Sequence, residues 1–313
     1  MLKGVVFFRK RKAHPPTASV TPLRISSELN SPIGWQGKLD LAFAYAQEKT
    51  SLVHCQVQAP LKVQRPFYPE GNRVCHSVIL HTAGGIVGGD RLALNVTLQP
   101  QAQVLITTAA AGKIYRSNGL QARQTTFLEV SAGACLEWLP QETIVFNQAI
   151  YRQDLRIELA PGATWLGWEI TRLGRSARGE RFLQGQWRSH TEVWQQGHPL
   201  WIDRQWLQGG EPWMDSPNGL AGCPVIASLA WLGAPISPEL LEKIRLLWDT
   251  TNETSGFADG NDEAAVTRLQ SGLLCRYRGN STQVARRWLI AVWQLIRLSS
   301  SRQTACLPGV WSL

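Results

Sequence analysis

Nowhere in the 313 residues is there a Cys-x-x-Cys, a His-x-His or a His-Glu-x-x-His. No single segment can therefore supply a transition-metal site, and metal ligands would have to come from distant parts of the chain. The six cysteines (Cys55, Cys75, Cys135, Cys223, Cys275 and Cys306) stand at long, irregular intervals. That spacing argues against a secreted disulfide framework and for reduced, mostly buried thiols. No apolar run approaches the roughly 20 residues that a membrane-spanning helix needs. Acid is scarce as well: 23 Asp and Glu face 32 Lys and Arg, a formal charge of +9. The opening apolar run, Leu2 to Phe8, carries its charges (Arg9 to Lys12) behind it, the reverse of a signal peptide. The expectation is a cytoplasmic protein without membrane association, in which residues 1–33, broken by Pro15-Pro16, form a mobile extension.

What the chain does contain is glycine in one telling place. In His81-Thr-Ala-Gly-Gly-Ile-Val-Gly-Gly-Asp90, the glycines Gly84, Gly85, Gly88 and Gly89 permit positive φ and close backbone approach. Strand-like runs, 78–80 and 92–98, flank the loop. A phosphate-binding loop needs Lys and Ser or Thr after the second glycine of its pair, but Asp90 and Arg91 stand there. The dinucleotide pattern fails because Ile86 takes the place of its middle glycine. Ala111-Gly112-Lys113 imitates the end of a P-loop, yet Ile114 brings no hydroxyl. The loop is structural, and a nucleotide site is not encoded.

From 52 to 207 the chain is a series of short Val/Ile/Leu/Thr/Trp-rich runs broken by Gly, Pro and Asn, the pattern of β-strands. Three segments, 98–105, 130–137 and 159–166, each read as strand, tight turn, strand. Their alanines, Ala102, Ala134 and Ala163, recur about every thirty residues, a period that points to stacked layers. The predicted fold is mainly β, layered and β-solenoid-like, with about two C-terminal helices. Residues 34–313 read as a single domain, with a β core over about 34–215 and a helix-containing part over about 216–313. Ser237-Pro238-Glu239 predicts one helix start, with Leu240, Leu241, Ile244, Leu247 and Trp248 at helical spacing. Asn280 with Gln283 predicts a capping box opening a helix over 281–298, whose face holds Leu289, Val292, Trp293 and Ile296 and is widened by Trp288 and Leu295. Within 250–278, which carries no recognisable block, Asp259, Asp262 and Glu263 cluster beside Gly256 and Gly260 and read as a solvated loop.

Several ordered blocks carry a resemblance. They are Gly34-Trp-Gln-Gly-Lys38-Leu-Asp40, Pro60 to Glu70, the glycine-rich loop, Thr107 to Ser117, Trp138-Leu-Pro-Gln-Glu142 and Gly174-Arg-Ser-Ala-Arg-Gly-Glu180. In this order they resemble the urease accessory protein UreD family, called UreH in some organisms, strongly over about 34–215. The resemblance implies a layered β architecture and a role in urease assembly without catalysis by this chain. Urease holds two nickel ions bridged by a carbamylated lysine. Proteins of this family bind the urease apoprotein and UreF, which recruits the GTPase UreG, and nickel reaches the apoenzyme through the complex. No tightly bound cofactor is implied, only transient nickel. One departure stands near the C-terminus: Pro308-Gly309-Val310-Trp311 lacks the arginine common in that element of the family.

Within those blocks His81, Asp90, Glu142 and Glu180 are candidates for transient metal contact, since imidazole and carboxylate suit a weakly held divalent cation. Each has a plainer reading: Asp90 as a turn-capping acid, His81 as a hydrogen-bonded strand residue, the two glutamates as solvated. Asp90, Lys113, Tyr115, Arg116, Glu142, Arg175, Arg178 and Glu180 are candidates for partner docking or for lining a polar path. Lys113 and Tyr115 alternate around Ile114, which points them to one face of a strand and Ile114 inward. The basic charge and 14 tryptophans keep a nucleic-acid-binding β protein open as an alternative, although the Lys and Arg are spread thinly and no nucleic-acid fold signature appears. An enzyme using the glycine-rich loop is a second alternative, although no nucleophile–base motif is readable. Trp187, Trp194, Trp201, Trp206 and Trp213 form an interaction face wherever they are exposed together.

Overall fold

Alternating burial along most of the strands, such as Leu39, Leu41 and Phe43 at 0% exposure between more open neighbours, marks a two-layered β-structure. The structure is a computed structural model that describes residues 34–210, 212–255, 262–301 and 304–312. The expected extension over 1–33 lies outside them, as do Gly256, Asp259 and Gly260 of the expected solvated loop.

The strands run β1 (Gln36–Ala46), β2 (Lys49–Gln58), β3 (Leu61–Val63), β4 (Val74–His81), β5 (Arg91–Leu98) and β6 (Gln103–Thr108). Then come β7 (Gly112–Ile114), β8 (Ala122–Val130), β9 (Cys135–Trp138), β10 (Thr143–Val145), β11 (Ile150–Leu159) and β12 (Thr164–Leu173). After these follow β13 (Gln186–Gln195), β14 (His198–Gln208), β15 (Val225–Leu232), α1 (Pro238–Ser255), β16 (Glu263–Leu269), β17 (Gly272–Gly279) and α2 (Thr282–Ser301).

From β4 to β13 the chain passes back and forth between two sheets, apart from the short branching strands β7 and β10. The first has the order β14-β13-β11-β8-β5-β1-β2, and the second β16-β17-β15-β12-β9-β6-β4-β3, with β7 and β10 branching from β12. The pairs β1–β5, β5–β8, β8–β11 and β11–β13 are parallel in the first sheet, as are β4–β6, β6–β9 and β9–β12 in the second. Stacked parallel strands of this kind are the β-solenoid-like arrangement that the repeat predicts. The repeated segments are its corners. Ala102, Ala134 and Ala163 close the same turn three times, donating to the carbonyls of Gln99, Ser131 and Ala160 at 3.2, 3.0 and 3.0 Å. Each corner is tied to the next, Cys135 N–H to Ala102 and Thr164 N–H to Ala134. All three alanines are buried, which explains a small residue at each.

One hydrophobic cluster fills the space between the sheets; Leu39, Val96, Leu128, Ile157, Trp165 and Trp187 belong to it. A second lies on the outer face of the second sheet, where Leu166, Trp168, Ile170, Leu229 and Cys275 meet both helices. Helix α1 starts as predicted: Ser237 Oγ accepts the Leu240 N–H at 3.2 Å. Helix α2 buries Trp288, Leu289, Val292 and Trp293 completely. Its cap is a correction, because Ser281, not Asn280, accepts the first-turn N–H, that of Val284, at 3.3 Å. Asn280 instead donates its own N–H to Asp262 at 2.9 Å. Of the acid cluster expected in a solvated loop, Glu263 opens the hairpin β16–β17, and Asp262 is not simply solvated, because it also accepts from the Tyr277 hydroxyl. The six cysteines are free thiols; Cys75, Cys223 and Cys275 are buried and Cys55 is exposed.

Candidate functional site

The two rims of the stack differ. One carries the tight corners. The other carries the long connections 82–90, 109–121, 139–149 and 174–185, which hold most of the residues singled out in the sequence. These connections interlock as a further parallel ladder. Ile86 bridges Ile114, β7 pairs β10, β10 pairs β12, and the Gly174 N–H reaches the Val145 carbonyl at 2.8 Å. Gly85 is required for this packing, because a Cβ there would lie 2.3 Å from the Tyr115 ring. Gly89 turns the chain at φ 93° into Asp90.

Asp90 is wholly buried, and its carboxylate accepts the N–H of Trp35 at 2.8 Å and of Val87 at 2.9 Å. It caps the loop and clamps the start of β1. Tyr115, Phe146, Arg175 and Glu180 form a chain across three connections. The Tyr115 and Phe146 rings meet edge-on at 5.0 Å, the Arg175 guanidinium lies 4.5 Å over Phe146, and Arg175 pairs with Glu180. Burial would raise the Glu180 carboxyl, but hydrogen bonds from Arg175 and the Asn147 N–H outweigh it and hold the group below its usual range. Glu142 faces away from this chain and pairs with Arg286 of α2. Lys113, Arg116 and Arg178 are exposed on the rim, with Ile114 buried beside Lys113. His81 sits at the inner edge of the loop. Its Nε2 is buried without a hydrogen-bond partner, and burial lowers its pKa against the pull of Asp90. The candidate residues thus share a rim, but His81, Asp90, Glu142 and Glu180 do not converge on one point. No group of three or more His, Cys, Asp or Glu placed to hold a metal ion occurs among the described residues.

Beneath this rim, between the sheets, lies a cavity of about 470 Å³ lined by His81, Thr126, Tyr151, Gln153 and Glu169 among others. Glu169 is its chemical centre. Its carboxylate accepts Ser189 Oγ at 2.7 Å and Thr171 Oγ1 at 3.0 Å, and Ser189 in turn accepts Gln153 Nε2 at 3.1 Å. Burial raises the Glu169 carboxyl above its usual range in spite of those donors; Asp203 adds to the rise and Arg276 opposes it. Asp203 is held by Arg276 through two bonds of 2.9 and 2.8 Å. Sequence reasoning missed this group. The signal was present: Glu169 is the one acid in the apolar run 163–170, and an acid at an inward position of a buried strand is held there by partners.

A second polar centre also went unread. Arg297 of α2 bonds Glu137 at 2.7 and 2.8 Å and pairs with Glu70, which hydrogen-bonds His76 at 2.6 Å. Trp293 Nε1 donates to the same Glu137 at 2.8 Å. Burial would raise the Glu70 carboxyl, but His76 and Arg297 together lower it. Near the C-terminus Trp311 packs on Trp168 and Trp293 and donates to Thr107 Oγ1 at 2.9 Å. Of the tryptophans in 187–213, Trp187 is core, whereas Trp206 and Trp213 are 61% and 60% exposed. No helix among the described residues is long and apolar enough to cross a membrane.

Parallel stacking, one rim of interlocked loops and a chamber between the sheets that holds a buried glutamate define a β-stacked scaffold with an internal cavity. Comparison with known proteins gives that scaffold a family. A family profile described as UreD urease accessory protein matches residues 36–312. The urease accessory protein UreD of Nostoc punctiforme is 65% identical over 280 residues, covering 90% of this chain and 97% of that protein. That of Trichormus variabilis is 63% identical over 278 residues (89% and 96%), and that of Synechocystis 45% over 258 residues (82% and 93%). The chain belongs to the UreD urease accessory protein family.

Proposed function

We propose that this chain is a non-catalytic, cytoplasmic maturation factor that binds the urease apoprotein and UreF, engages UreG through UreF, and gives nickel a route during metallocentre assembly. The observation that carries this reading is the cavity beneath the loop rim, whose mainly apolar walls hold a hydrogen-bonded Glu169. Family membership supports the urease connection. The donors available to a cation in the cavity are the Glu169 carboxylate, the oxygens of Gln153, Thr126 and Tyr151, and the imidazole of His81. Oxygen donors hold divalent nickel more weakly than thiolates do, which suits a cargo that has to leave again. Lys113, Arg116 and Arg178 are the exposed rim groups we assign to partner docking. Asp90, Tyr115, Glu142, Arg175 and Glu180 keep the rim in shape.

The test mixes the protein with UreF and urease apoprotein and follows assembly by size exclusion with light scattering, with GTP and a nucleic acid as controls. Glu169→Ala is then carried into nickel-dependent urease activation. A complex that forms normally but activates poorly supports the conduit. Absence of association with either protein, with retention of nucleotide or nucleic acid instead, sinks the reading.

A further inference from the structure

The outer face of the first sheet carries a feature that no role above uses. Strand register places Arg91, Arg123, Arg152 and Arg188 side by side on β5, β8, β11 and β13. The row begins beside Gln36 on β1 and ends at Trp206 on β14. Neighbouring strands lie about 4.8 Å apart, so four guanidinium groups fall within roughly 14 Å. Among the described residues one carboxylate stands between them: Asp154, bonded by Arg123 at 3.0 Å and Arg152 at 2.8 Å. Arg91 and Arg188 have no carboxylate partner there. Arg188 lies 5.0 Å over the Trp206 ring, and its buried Nε makes no hydrogen bond. Cations this closely spaced repel one another, and a guanidinium donor left unsatisfied is costly.

We propose that this row is a docking strip for an acidic helical segment of a partner protein. Guanidinium forks match carboxylates bidentately, and Arg and Trp are both among the residue types enriched at binding hot spots. A helix rises 1.5 Å per residue, so acids at i, i+4, i+7 and i+11 span roughly 16 Å along one face, close to the length of the row. A nucleic-acid backbone fits less well. It needs a continuing positive track, and further along the same strands Glu129 and Glu158 stand opposite each other on this face. The strip is independent of what passes through the cavity.

The test uses the whole chain and a fluorescein-labelled helical peptide with Glu at those four positions and neutral residues elsewhere, followed by anisotropy. Arg91→Gln with Arg188→Gln is expected to weaken binding by about tenfold at physiological salt. Lys62→Gln with Arg268→Gln removes the same charge from exposed positions on the other sheet and is expected to change affinity by less than about twofold. Arg91→Lys with Arg188→Lys keeps the charge and the fold but not the fork, and falls between the two. A single-stranded oligonucleotide of equal charge is expected to bind at least about tenfold more weakly than the peptide. Equal losses in both glutamine pairs, an oligonucleotide bound as tightly as the peptide, or no peptide binding by the unaltered protein would overturn the proposal.

Discussion

Arg297→Met strands two buried carboxylates. Glu70 and Glu137 each have about 6% side-chain exposure, and Arg297 meets both from α2. Removing one partner of a buried ionic group costs about 3–5 kcal/mol, because the remaining charge stays out of water. For a chain this size roughly 2 °C of melting temperature accompanies each kcal/mol, so a fall of about 6–10 °C is expected at pH 7 by differential scanning calorimetry. The pH dependence has a definite sign. In the unaltered protein the Glu70 carboxyl is held low, so its stabilisation is present above the ordinary carboxylate pKa and is lost as pH falls through the lowered value. Without Arg297 the Glu70 carboxyl binds a proton more readily, so the deficit shrinks as pH is lowered from 7 to 5. Replacing the three together (Glu70→Gln, Glu137→Leu, Arg297→Met) removes both stranded carboxylates and is expected to recover more than half of the loss. A fall below about 2 °C for Arg297→Met, or a deficit that does not narrow at pH 5, would refute the reasoning.

Glu169→Gln should stabilise the protein at neutral pH: the folded state holds the Glu169 proton more tightly than the unfolded chain, so its stabilisation is present below the ordinary carboxylate pKa and lost as pH rises through the raised value. Each tenfold difference in proton affinity is worth about 1.4 kcal/mol, and melting curves from pH 4 to 8 should flatten in the variant. Asp90→Ala leaves the N–H groups of Trp35 and Val87 without their acceptor; a loss of about 2–4 kcal/mol is expected, read as a lower urea midpoint with an unchanged slope. Gly34→Ala forces a side chain onto φ +107 with its Cβ 2.5 Å from the Gly89 carbonyl; at least about 2 kcal/mol should be lost in the same assay, against almost nothing for an alanine at the open Gly309.

The stacked architecture was legible because corners repeat. Ala102, Ala134 and Ala163 are small for one reason three times over, and a shared reason leaves a period in the sequence. The helices were legible from their apolar faces, but the cap of α2 was misplaced by one residue because Asn280 and Ser281 are both good caps and the helix begins at Thr282, directly after Ser281. Hairpin β16–β17 was missed because β16 exposes much of its length and its acids resemble those of a loop. At the site, local motifs located the rim. They did not locate Glu169, Glu137 or Arg297, whose meaning depends on residues up to 227 positions away. Such groups can be suspected from an acid inside an apolar run, but their partners are set by topology.

The outer face of the second sheet has a consequence for how the chain is made. Leu166, Trp168 and Ile170 are in place once β12 pairs, yet their cover comes from α1 and α2, the second of which begins only at Thr282. At about 5–20 residues per second, a ribosome leaves that tryptophan-bearing surface bare for several seconds after the stack beneath it is complete. Nascent and C-terminally truncated chains therefore present an adhesive sheet, and their yield in a cell is governed by how quickly the last helix arrives or by what shields the face until then.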